Sequence, residues 1–251
     1  DLRNFQAVKD WFSKNKPSVV FLAAAKVGGI LANQKSSTEF LLDNIKIQNN
    51  IIENCWINKV KRLLFLGSSC AYPKNSIQPL REEELLSGKL EETNEGYALA
   101  KIIGIKLCIA LRQQYKLDAI SLMPSNLFGT GDNYDPLNSH VLASLIRKFS
   151  NAKLNNDKEV ICWGSGKPFR EFLHVDDLAD ACLFVMENWN PDQKNSPLLN
   201  NGEPLYYLNV GTGKDISIKD LAYKIAELTN YNGQIIWDSS KPDGMPKKLL
   251  D

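Results

Sequence analysis

Apolar positions fall along this chain in two alternating textures, short unbroken runs and longer stretches with a three-to-four-residue repeat. Ser18-Val-Val-Phe-Leu-Ala-Ala-Ala25 is an unbroken run and predicts a strand, as does Arg62-Leu-Leu-Phe-Leu-Gly-Ser68. Between them, Ile and Leu recur at helical spacing from about Ser37 to Asn58, which predicts one long helix. A second long helix carries Tyr97 and runs to about Tyr115, and Ala119-Ile-Ser-Leu-Met-Pro-Ser-Asn126 follows as another strand. This order predicts βαβ units with right-handed crossovers, and so an α/β fold on a doubly wound parallel sheet.

After Phe128 the texture changes. Gly129-Thr-Gly-Asp-Asn-Tyr-Asp-Pro136 is a turn-rich loop, and shorter elements follow it between Asn, Pro and Gly clusters. Glu159-Val-Ile-Cys-Trp163 predicts a strand, Val175-Asp-Asp-Leu-Ala-Asp-Ala181 a capped helix start, and Ser217 the cap of another helix. The polar stretch from 190 to 204 predicts a surface loop. A smaller lobe from about residue 129 onward is the expected organisation.

Composition narrows the class. With 251 residues, 43% of them hydrophobic, the chain can bury a large core. Thirty basic against 29 acidic side chains give no electrostatic case for nucleic acid or an anionic membrane. No apolar stretch approaches the roughly 20 residues of a membrane span. Cys55, Cys70, Cys108, Cys162 and Cys182 are odd in number and never spaced as CxxC, which argues against a disulfide framework or a zinc site, so no metal is expected. A reducing cytoplasm fits this pattern.

The candidate chemistry gathers at Tyr97-Ala-Leu-Ala-Lys101. A spacing of four puts both side chains on one helical face, about 5 to 6 Å apart, so the Lys101 ammonium is expected to favour the tyrosinate. Ser68 lies 29 residues upstream at the end of an apolar run. There it would present a hydroxyl at the carboxyl end of a strand, where open α/β sheets place their sites.

Six segments extend this picture: Leu22-Ala-Ala-Ala-Lys-Val-Gly-Gly29, Leu66-Gly-Ser-Ser-Cys-Ala-Tyr-Pro73, Thr93-Asn-Glu-Gly-Tyr-Ala-Leu-Ala-Lys101, Pro124-Ser-Asn-Leu-Phe-Gly129, Asn138-Ser-His140 and Arg170-Glu-Phe-Leu-His-Val-Asp-Asp-Leu-Ala-Asp-Ala181. With Lys241-Pro-Asp-Gly-Met-Pro-Lys-Lys-Leu-Leu250 at the far end, the chain resembles the GDP-L-fucose synthase family of extended short-chain dehydrogenase/reductases along its whole length. The resemblance implies a partial Rossmann-like NADP-binding domain over residues 1–128. It implies a mainly substrate-binding lobe over 129–251, with some segments returning to the first domain.

The resemblance further implies two reactions in one site: epimerisation of GDP-4-keto-6-deoxy-D-mannose at C3 and C5, then reduction of the C4 ketone with NADPH. Carbons flanking a ketone lose protons to form an enolate, so a base, an acid and a donor to the carbonyl oxygen are needed. Cys70 and His140 match the family's base and acid, and Ser68, Tyr97 and Lys101 its reductive group. NADP(H) contacts are implied for Asp1 and Leu2 at the adenine end, for Leu22, Ala23 and Ala24, and for Leu66, Gly67, Ser68 and Ser69. Others fall on Pro124, Ser125, Asn126 and Leu127, and on Tyr97, Lys101 and His140. Lys148, Trp163, Arg170 and Asp243 match the positions that hold the nucleotide-sugar. A homodimer packed through the long helices near Ile45 and Tyr97 is also implied.

The chain departs from the family pattern in places. Gly96 stands where proline is usual and is expected to loosen the approach to the catalytic helix. Lys148 offers a point charge where the family has a forked arginine. His174 is given no catalytic role. No glycine-rich turn lies near the start, and Gly129-Thr-Gly131, Gly164-Ser-Gly166 and Gly211-Thr-Gly213 read as turns. The chain therefore reads as an internal fragment lacking roughly 50 to 60 upstream residues, about two βα units. The alternatives are a nucleotide-sugar 4-epimerase or 4,6-dehydratase of the same superfamily, or a cofactor-sensing protein that has lost catalysis.

Overall fold

Leu63 and Phe65 face one side of a strand and Leu64 the other, and all three are buried. Side chains alternate across a strand, so a strand apolar on both faces must be covered on both. A computed structural model gives the fold for residues 1–136 and 138–251. In chain order it comprises α1 (Phe5–Asn15), β1 (Val19–Leu22), α2 (Ile30–Lys35), α3 (Ser37–Ile57), β2 (Arg62–Leu66) and α4 (Glu95–Tyr115). Then come β3 (Ala119–Pro124), β4 (Asn126–Phe128), α5 (Val141–Asn155), β5 (Glu159–Trp163), β6 (Phe169–His174) and α6 (Val175–Asn188). The last elements are β7 (Tyr207–Val210), β8 (Asp215–Ser217), α7 (Ile218–Leu228), β9 (Gln234–Asp238) and β10 (Lys247–Lys248).

The main sheet is parallel throughout, in the order β1-β2-β3-β7. On one face Leu63 and Phe65 pack with Ile52 and Cys55 of α3 and Ile105 and Cys108 of α4. On the other, Leu64, Ile120 and Leu122 pack with Leu178, Cys182 and Val185 of α6. The close fit of α4 on β2 depends on Gly104, where an added Cβ would run into the Phe65 ring. A second sheet runs β10-β6-β4, with β8 antiparallel on β6. A third pairs β5 with β9 in parallel under α5 and α7, around Leu145, Phe149, Val160, Ala222 and Ile225.

The long apolar and helical segments form as the pattern predicts, and Ser217 caps α7 by accepting from the Asp220 amide. Three expected strands end early. The first stops at Leu22, because Asn44, buried in α3, accepts from the Lys26 amide at 2.7 Å and donates to the Lys26 carbonyl at 3.0 Å, holding the chain in a loop. The second stops at Leu66, with Gly67 wedged against Met123 and Leu122 of β3. The third divides: β3 ends at Pro124, and after Ser125 the chain enters β4, which pairs with β6 in the second sheet. One residue thus joins the two sheets.

Gly96 acts differently from expectation. It lets the start of α4 close on the start of α3, since a Cβ there would lie 2.9 Å from the Ser37 carbonyl oxygen. The three late glycine pairs are turns, with positive φ at Gly129, Gly131, Gly164, Gly166 and Gly213.

Candidate active site

Parallel pairing brings the carboxyl ends of β1, β2 and β3 to one edge of the main sheet, so Leu22 to Ala24, Leu66 to Ser69 and Pro124 to Leu127 meet there. Beyond Ser68 the chain makes a single 3₁₀ turn, Ser69–Ala71, whose first amides need acceptors. The Ser68 hydroxyl takes one of them, from Cys70 N at 3.2 Å. This turn aims Cys70 into a cavity of about 270 Å³ between the main sheet and the later segments.

The cavity collects residues scattered through the sequence. Cys70, Asn126, His140, Lys148, Trp163, Arg170 and Asp243 all line it. His140 precedes α5 as its N-cap, and Lys148 lies two turns further along the same helix. Lys148 donates to the Ile161 carbonyl at 2.8 Å and sits 5.0 Å from the centre of the Trp163 ring, which is itself open to solvent. Arg170 donates to the Phe169 and Asp243 carbonyls. Both carboxylate oxygens of Asp243 accept from Ser165, one from its amide and one from its hydroxyl, each at 2.7 Å. Asp243 is thus committed to holding the Gly164-Ser-Gly166 turn.

Ser68, Tyr97 and Lys101 lie behind this cavity rather than on its wall, and Cys70 links the two. Lys101 is buried on α4, and its ammonium donates to the Leu66 carbonyl at 2.7 Å, 5.8 Å from the centre of the Tyr97 ring. Burial brings the Lys101 pKa down to about 8, with the nearby Cys70 drawing it back up. The expectation that Lys101 favours the tyrosinate is not met in this arrangement. Burial pushes the Tyr97 phenol well up, the Cys70 charge pushes it further, and only the Ser68 hydroxyl opposes them. These effects favour the protonated phenol at Tyr97.

Asp1 and Leu2 do not line that cavity. With Leu22 and Ala24 they line an apolar cleft among Val8, Trp11, Phe12 and Phe21, beside α1 and the β1 edge. Asp1 receives the Arg3 guanidinium at 2.7 Å.

One residue of the site was not singled out from the sequence. Lys248 of β10 donates to Cys70 Sγ at 3.2 Å and lines the same cavity. Burial pushes the Cys70 thiol up, but the Lys248 charge, hydrogen bonds from Ser68 and Lys248, and the Arg170 charge outweigh it and hold the thiol below its ordinary range. His140 is lowered by the packing around its ring and by Lys248, against the pull of Asp132. The only signal in sequence was a lysine pair after Met-Pro, which says nothing about a cysteine so far away.

The sequence profile of the NAD dependent epimerase/dehydratase family matches residues 1–198 of this chain. The chain belongs to that family. Within it, the chain is 50% identical over 251 residues to "Putative GDP-L-fucose synthase 2" of Arabidopsis thaliana, covering all of this chain and 73% of the relative. It is also 50% identical over 252 residues to the GDP-L-fucose synthase of Escherichia coli K12, covering 77% of that protein. Among solved structures, a GDP-mannoheptose C4 reductase from Campylobacter jejuni with NADP bound superposes with a TM-score of 0.86 at 37% identity. That superposition covers the whole chain and 78% of the reductase. The parallel main sheet is the Rossmann-like part of this family's fold, and among the described residues no helix is long and apolar enough to cross a membrane.

Proposed function

We propose that this protein converts GDP-4-keto-6-deoxy-D-mannose to GDP-L-fucose, epimerising C3 and C5 and reducing C4 with NADPH. The observation that carries this reading is the meeting of Cys70 and His140 in the cavity lined by Lys148, Trp163 and Arg170. A reductase alone needs neither a depressed thiol nor a facing imidazole. A 4,6-dehydratase would call for an acidic pair where Ser69-Cys70 stand.

The residues suit a dinucleotide along the carboxyl edge of the main sheet. Among the described residues the Ser125 hydroxyl is buried there with no hydrogen-bond partner, and Lys101 is a buried cation whose donor faces a carbonyl rather than a carboxylate. Leu22 to Ala24, Leu66 to Ser69 and Pro124 to Leu127 would hold the cofactor, with Tyr97 and Lys101 at its reactive end. When bound, NADPH supplies the hydride.

The remaining work belongs to the side chains. Arg170 and Lys148 neutralise the diphosphate, and Trp163 offers a flat face to the nucleotide. Cys70 as thiolate removes a proton beside the ketone, and His140 returns one from the other side. Ser68 and Tyr97 hold the C4 oxygen while charge builds on it. Tyr97, kept protonated by its surroundings, then delivers its proton to that oxygen in the reduction. Exposed Leu42 on α3 and Leu99 and Ile103 on α4 support pairing with a second copy through these helices. The unpaired cysteines suit a reducing cytoplasm.

The test is incubation with GDP-4-keto-6-deoxymannose and NADPH in deuterated water. GDP-fucose carrying deuterium at C3 and C5 is the expected product. Oxidation of NADPH without deuterium at either carbon would leave a plain 4-reductase, and neither event would remove the assignment.

A further inference from the structure

The Cys70 thiol and the Lys248 ammonium form a pair built from the two ends of the site. Lys248 is buried, and among the described residues no carboxylate lies within ion-pair distance of it, whereas its neighbour Lys247 points the other way to Asp215 at 3.1 Å. Alternation along a strand sends adjacent side chains to opposite faces, so β10 delivers one lysine to a carboxylate and the other to the sulfur. A buried ammonium without a counter-anion is costly, and an anion at 3.2 Å relieves that cost.

β10 is fixed in place by its own backbone. Pro246 accepts from the Phe169 amide at 2.9 Å, and Lys248 is in register with Arg170 of β6. Leu249 donates its amide to Gln78 and accepts from the Leu80 amide, while Asp251 N donates to the Leu80 carbonyl. Leu250 N donates at 2.8 Å to Glu171, a fully buried carboxylate that also accepts from the amides of Thr212 and Gly213. Three segments, β6, residues 78–80 and the turn at Thr212 and Gly213, therefore converge on β10 to set the position of one ammonium.

We propose that Lys248 is the positioning residue that prepares Cys70 for proton abstraction, holding its sulfur as a thiolate and setting the charge between Cys70 and His140. This rests on the assignment of Cys70 as the base. The other charged or titratable groups around the sulfur are Arg170 from β6, Tyr97 and Lys101 from α4, and His140 before α5. Arg170 is spoken for by the diphosphate in the reading above, and Lys101 by the Leu66 carbonyl. Among the described residues Lys248 is the charged group that donates directly to Sγ, beside the neutral Ser68 hydroxyl. The same charge disfavours the imidazolium of His140, so loss of Lys248 moves both groups up the pH scale together.

The direct test needs no substrate. Cys70 in the wild-type protein is alkylated with iodoacetamide across a pH series, and its peptide is quantified apart from those of the four buried cysteines. The expected midpoint lies below the roughly 8.5 of a free thiol. Lys248→Met is expected to raise it by at least about one, cutting alkylation at neutral pH about tenfold, while Lys248→Arg keeps the wild-type profile. A wild-type midpoint at or above that of a free thiol overturns the proposal without any variant. So does a folded Lys248→Met protein, judged by circular dichroism, with an unchanged profile. Deuterium exchange at C3 and C5 is then followed over the same pH series and should shift upward in Lys248→Met. A shifted alkylation profile in a protein that exchanges no deuterium upholds the pairing and overturns the base assignment beneath it.

Discussion

Two proton-handling groups stand side by side in this molecule, and each has a lysine. Tyr97 has Lys101 four residues on, in the same helix. Cys70 has Lys248, 178 residues away on a two-residue strand. In the near pair the Lys101 ammonium donates to the Leu66 carbonyl and lies 5.8 Å from the centre of the Tyr97 ring, while burial and the Cys70 charge push the phenol up. The distant pair is coupled, because the Lys248 ammonium donates to Cys70 Sγ and, among the described residues, has no carboxylate within ion-pair distance. Helical spacing brings two side chains to one face, but the best available acceptor decides where a buried ammonium points.

The largest expected effects separate the two groups. Tyr97→Phe should cut NADPH oxidation by about 10²- to 10⁴-fold, the range for a lost general acid, while deuterium exchange continues. Cys70→Ser should do the reverse when both are measured on the same substrate. Equal loss of both activities in either variant would mean that the two groups work as one.

Lys101 gives a sharper probe through pH. Its pKa of about 8 lies below that of a free lysine, so the cation is present below that pH and lost as pH rises through it. NADPH affinity, followed by fluorescence titration, should fall as the pH passes about 8. In Lys101→Met it should be weak and flat over the same range. A wild-type affinity constant from pH 7 to 9 would show that this ammonium takes no part in holding the cofactor.

A smaller effect is expected from Glu171→Gln. The amide replaces an acceptor oxygen with a donor that faces backbone N–H groups, so denaturant unfolding should show a loss of about 1 to 3 kcal/mol. If Glu171 positions Lys248 through the Leu250 amide, Cys70 alkylation should slow as well. Ser217→Ala should cost about 1 kcal/mol through the lost α7 cap and leave both proton-handling groups unchanged.

The sheet and its long helices were legible because continuous apolar runs and helical periodicity are local signals with one physical reading. Leu63, Leu64 and Phe65 could hardly be anything but a strand covered on both faces. The candidate side chains Ser68, Cys70, Tyr97 and His140 were legible as types in their motifs, and the fold brings Cys70 and His140 to one cavity. Their electrostatics were not legible. Nothing in Tyr97-Ala-Leu-Ala-Lys101 reveals that the Leu66 carbonyl competes for the ammonium. The strand read from Ala119 to Asn126 likewise concealed a change of sheet at Ser125, since alternation of side chains says nothing about which neighbour a strand pairs with.

The distance along the chain between Cys70 and Lys248 also has a consequence in time. Ribosomes add roughly 5 to 20 residues per second, so the 178 residues between the two take about 10 to 35 s to appear. Throughout that interval the emerging cysteine keeps the mild reactivity of a free thiol. The thiol meets its cation only once β10 has been made, so on the proposed reading an incomplete chain carries no prepared base.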